Sequence, residues 1–73
     1  MDEMELRNIN KAINDIWKLI KKYLPVADPD SDAYWMGLIR ESGAIGKKYD
    51  NHPLVNKMIL AFADYVEHEA KGV

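Results

Sequence analysis

The chain has 73 residues, 48% hydrophobic and 30% charged, with a formal net charge of −2 and no cysteine. A domain of about 60 residues buries only roughly 60% of the surface its unfolded chain exposes, so residues 1–73 read as a single helical domain with one small core. The mixture is too apolar and too balanced for a disordered tail, and without cysteine it has no disulfides, thiolate metal sites or cysteine nucleophiles.

In the first segment Leu6, Ile9, Ile13, Ile16, Ile20 and Tyr23 recur every three or four residues, which places them on one helical face. Asp2 followed by Glu5 suggests a capping box, and Lys18, Lys21 and Lys22 oppose the negative pole of the helix dipole. Pro25 disfavours helical geometry at Leu24, so a helix is expected over about 3–24.

Asp28 before Pro29 reads as an N-cap and first helical position, with Asp30 and Asp32 in the first turn. The second helix is therefore expected over about 29–49, with Tyr34, Trp35, Leu38, Ile39, Ile45 and Tyr49 on its apolar face. Gly43 and Gly46 interrupt it, each costing about 1 kcal/mol relative to alanine. They predict a kink or break near 43–46, or a close approach by another helix.

Asp50-Asn51-His52 is turn-like, and Pro53 opens a third helix expected over 53–70 with Gly72 beyond its end. Val55, Ile59, Phe62 and Val66 form one row on it. Leu54, Met58, Ala61 and Tyr65 form the next, and Leu60 and Ala63 lie off both. Three helices joined by short connectors imply an antiparallel three-helix bundle, with Trp17, Trp35 and Phe62 as the large core candidates. The longest apolar run, Met58 to Ala63, is far too short for a membrane span, and Asp2, Glu3 and Glu5 carry the wrong sign for a signal peptide. A cytoplasmic protein without a membrane partner is expected.

Few residues offer chemistry. Asp28-Pro29-Asp30-Ser31-Asp32 alternates acidic groups as calcium loops do, but Ala33 and Ile39 stand where that loop needs glycine and glutamate. Gly43-Ala44-Ile45-Gly46-Lys47-Lys48 lacks the first glycine and the hydroxyl of a nucleotide P-loop, and a GXXG clamp would need flanking strands. Asp64 and His68, one helical turn apart, could share a metal only with a third ligand from elsewhere, and a surface ion pair explains them better. His52 and His68 are far apart in the chain, and the only serines are Ser31 and Ser42. No catalytic set, cofactor site or metal site is predicted.

The pattern Asp28-Pro29-x-Ser31-Asp32-x-Tyr34-Trp35, then Lys47-Lys48-Tyr49, then Pro53-x-Val55, resembles short helical proteins encoded by phages and prophages of Gram-positive bacteria. The likeness covers roughly residues 28 to 70. Those proteins mostly have no assigned activity, so it implies a genomic setting and no site residues.

Ten of the thirteen residues from Leu54 to Val66 are apolar, against about three in seven for an ordinary bundle helix. That excess predicts a non-enzymatic interaction module that pairs with a second copy or another protein through Leu54, Met58, Leu60, Ala61 and Tyr65. The alternative is a nucleic-acid accessory protein contacting phosphates through Lys47, Lys48, Lys18 and Lys22. Its weakness is a pI near 5.6, where nucleic-acid binders usually carry an overall basic field.

Overall fold

The computed structural model describes residues 1–72. Three helices make up the bundle: α1 over Glu3–Tyr23, α2 over Asp32–Lys48 and α3 over Pro53–Ala70, each packed against the other two. Their order makes α1 and α3 parallel, with α2 antiparallel to both. His52 Nε2 lies 2.8 Å from Glu5 Oε2 and joins the starting ends of α3 and α1.

The helix ends follow local chemistry. Asp2 caps α1 by accepting the Glu5 amide at 2.8 Å, while the Glu5 carboxylate turns away from a reciprocal box to meet His52. The predicted Asp28 cap of α2 is corrected. Ser31 is the N-cap, its Oγ accepting from the Tyr34 amide at 3.2 Å, and residues 28–31 form a preceding turn closed by the Ser31 amide on the Asp28 carbonyl. Pro29 thus lies outside the helix, and its carbonyl accepts the Trp35 indole N–H at 2.8 Å.

α2 runs unbroken through Gly43 and Gly46, so the expected break is absent. A Cβ on Gly43 would meet nothing within 4 Å, whereas one on Gly46 would stand 3.2 Å from Asn56 Oδ1. Gly46 therefore admits α3 closely, and Gly43 faces open space. Past the helix, Asp50 and Asn51 take φ of 53° and 56°, and the Asn51 amide returns to the Gly46 carbonyl at 2.8 Å. Short polar side chains tolerate this left-handed geometry.

The core is mostly aliphatic and consists of two clusters bridged by half-buried Ile20 and Ile45. Ile9, Ala12 and Ile16 pack with Val55 and Ile59 towards the starting ends of α1 and α3. Leu19, Tyr23, Leu38, Phe62 and Val66 fill the other half. Of the predicted large fillers only Phe62 is buried. Trp35 is half-buried at the α2 edge. Trp17 is 54% exposed, because it lies one helical position beyond buried Ile16 and its indole stacks under the Lys21 ammonium at 5.4 Å. Leu6, Ile13 and Ile39, also expected on core faces, are exposed as well.

Candidate interaction surface

Each pair of helices leaves a flank, and the three flanks differ in chemistry. Between α1 and α2 the flank is polar. Asp15 accepts from Tyr49 Oη at 2.6 Å and from Lys48 Nζ at 2.9 Å. Glu41 accepts from Lys22 Nζ at 2.8 Å and from the Tyr23 hydroxyl. Tyr49, then Lys48, hold the Asp15 carboxyl below its ordinary pKa. Lys22, then Tyr23, do the same for Glu41. Burial, and then the Glu41 carboxylate, push the Tyr23 phenol up to about 12.

This flank gathers three of the four candidate phosphate contacts. Lys18, Lys22 and Lys48 surround one shallow cleft together with Asp15 and Glu41, so the lysines alternate with carboxylates. Lys47 is exposed on α2. The amides of residues 43–48 belong to the body of α2, where N–H groups bond to carbonyls four residues back and cannot cradle a phosphate.

Between α2 and α3 lies an apolar groove of about 660 Å³. Trp35, Leu38, Ile39, Ile59, Leu60 and Ala63 form most of it, with Asp30, Glu67 and Lys71 among its polar lining. Lys71 is paired to Glu67 at 2.9 Å. Ser42 also lines this groove, and its buried hydroxyl has no hydrogen-bond partner.

The third flank, between α1 and α3, is apolar and open. On α1 the side towards α2 carries Asp15, Lys18 and Lys22. Helical geometry puts Leu6, Ile13 and Trp17 across the buried row from them, beside α3. On α3 the side towards α2 carries Ile59, Ala63 and Glu67, which leaves Leu54, Met58, Ala61 and Tyr65 beside α1. Met58 packs against the cluster of Ile9, Ala12, Ile16, Val55 and Ile59, and Leu24, just past the end of α1, lines one recess with Tyr65. Leu6, Ile13, Trp17, Leu54 and Tyr65 are all exposed large hydrophobics.

The structure thus brings four of the five candidate interface residues onto one flank and places Leu60 on another. The spacing on α3 alone does not show that α1 residues lie beside this row. Leu6, Ile13 and Trp17 had the right spacing to be noticed, but the same periodicity made them look like core.

Ser31 and His52 serve as helix caps, Ser31 on α2 and His52 on α3, where it accepts the Leu54 amide at Nδ1, 3.1 Å away. Among the described residues no three His, Asp or Glu side chains converge as a metal site, and no helix is long and apolar enough to cross a membrane. No family model matches the chain, and neither a curated protein nor a solved structure is found to be similar to it.

Proposed function

We propose that the protein is a non-enzymatic helical interaction module that docks through the α1/α3 flank. The observation that carries this reading is the exposed row Leu6–Ile13–Trp17 on α1 lying beside Leu54–Met58–Ala61–Tyr65 on α3. Contiguous apolar surface of this kind is rare on a protein that works alone and marks contact sites. Trp17 and Tyr65 are the residue types that dominate the energetics of protein interfaces.

Phosphate binding has less support. Lys22 and Lys48 already neutralise Glu41 and Asp15, so a nucleic acid would have to compete with both carboxylates. The two readings separate experimentally. A photo-reactive residue at Leu54 should yield protein adducts in the cells that make this chain, well above those from the same group at Lys47. Equal or absent adducts at Leu54 overturn the docking reading. Salt-sensitive retention of duplex DNA or single-stranded RNA would favour the other.

A further inference from the structure

Resting on that reading, we infer that the α1/α3 flank is self-complementary and that its occupant is a second copy of this chain, related by a twofold axis perpendicular to the helices. The inference comes from where the charges at the edges of the apolar rows fall. Glu3 and Lys21 are five helical turns apart and therefore share one side of α1. Lys21 stands over Trp17 at 5.4 Å, which places that side along the outer edge of the α1 row. On α3, Lys57 and Asp64 lie about two turns apart on one side. Asp64 lines a recess with Tyr65, which marks the outer edge of the α3 row. All four charged residues are exposed.

From start to end, α1 thus carries the exposed Glu3–Arg7 pair, 3.2 Å apart, and then Lys21, and parallel α3 carries base then acid. A twofold rotation that reverses both helices sets Glu3 against Lys21 of the second copy and Lys57 against Asp64 of the second copy. Lys57 and Asp64 then each meet an opposite charge, and Lys21 of the second copy competes with Arg7 for Glu3.

The centres of these pairs fall close together along each helix. The Glu3–Lys21 midpoint is residue 12, and the Leu6–Trp17 midpoint lies between residues 11 and 12. On α3 the Lys57–Asp64 midpoint lies between residues 60 and 61, and the Leu54–Tyr65 midpoint between 59 and 60. The Glu5–His52 contact joins the starting ends of the two helices, and residues 12 and 59 each lie seven positions further on. Rows and charges on both helices therefore centre near the mid-level of the bundle. Ile13 and Ala61 lie nearest that level. A partner with unrelated chemistry would require no such common centre, whereas a twofold axis does.

Sedimentation equilibrium from ten to several hundred micromolar should show the wild type passing from monomer to dimer. Lys21→Glu should weaken the dimer at least several-fold, and adding Glu3→Lys should restore it. Because the chain has no cysteine, single substitutions report geometry cleanly. Ala61→Cys should oxidise to a linked dimer. Leu54→Cys should not, since it would stand roughly 18 Å from its own copy at 1.5 Å per residue, well beyond disulfide reach. Circular dichroism confirms that each variant folds. A monomer throughout the concentration range overturns the inference, as does a dimer that links through position 54 and not 61. A monomer whose Leu54 probe still gives adducts in cells leaves the docking reading standing and removes only the second copy.

Discussion

The Tyr23 hydroxyl lies over Gly37 so closely that a Cβ built there would stand 2.7 Å from Tyr23 Oη. The phenol cannot easily retreat. It is bonded to Glu41, its ring packs edge-on against Tyr34 with centroids 5.3 Å apart, and Tyr34 Oη holds the Tyr23 carbonyl at 2.5 Å. Gly37 is therefore what allows α1 and α2 to close.

Gly37→Ala should destabilise the bundle. Overpacking costs about 1–3 kcal/mol and outweighs the roughly 1 kcal/mol that alanine gains in helix propensity. Gly43→Ala meets nothing and should stabilise by up to about 1 kcal/mol. Opposite shifts in melting temperature are the expected result. Tyr23→Phe combined with Gly37→Ala should recover part of the loss, because it removes the atom that clashes.

These glycines show what a sequence can reveal. Gly43 and Gly46 stand out because they interrupt a helical pattern, yet only Gly46 has a neighbour to avoid. Gly37 is unremarkable locally, since its obstacle arrives from α1. The buried row Val55–Ile59–Phe62–Val66 was legible because its period is a property of α3 alone. The exposure of Trp17 was not, for burial depends on where the neighbouring helix sits. The proposed docking flank was half-legible for the same reason: one row on α3 is visible in sequence, and its adjacency to Leu6, Ile13 and Trp17 needs the fold.

The start of α2 provides a second test. Ser31 and Asp28 are both good capping residues, and Pro29 suits either a helix start or the turn before one, so propensity could not choose between them. The geometry does. Ser31→Ala should cost about 0.5–2 kcal/mol. Asp28 contributes its backbone carbonyl to the turn, so Asp28→Ala should leave chemical-denaturation stability nearly unchanged. The reverse ranking would move the cap back to Asp28.

Stability should fall at both ends of the pH scale, for separate reasons. Asp15 and Glu41 have folded pKa values below their ordinary 3.8 and 4.5. Their stabilisation is present above those values and lost as pH falls below them. Tyr23 is raised from 10.0 to about 12, so its contribution is complete below pH 10 and disappears between pH 10 and 12. Urea titrations across pH should show both limbs. Asp15→Asn with Glu41→Gln should flatten the acid limb, and Tyr23→Phe the alkaline one.

Ser42 is a second residue whose replacement by alanine should help. Its side chain is buried and its hydroxyl has no hydrogen-bond partner, although it lies on the α2 face that lines the groove with α3. An unsatisfied buried polar group costs about 1–3 kcal/mol of desolvation. Serine is also a poorer helix former than alanine, because its hydroxyl competes for backbone bonds. Ser42→Ala therefore removes a penalty without breaking a contact, and it leaves a void of only one oxygen. We expect a stabilisation of about 1 kcal/mol, near the lower edge of that desolvation range because alanine loses the packing of that oxygen. Ser42→Val should reverse the sign, since a branched side chain must fit between α2 and Ile59. Thermal melts of the two variants check both halves. Destabilisation by alanine would mean that the hydroxyl is bonded in solution, and the groove floor would then be polar.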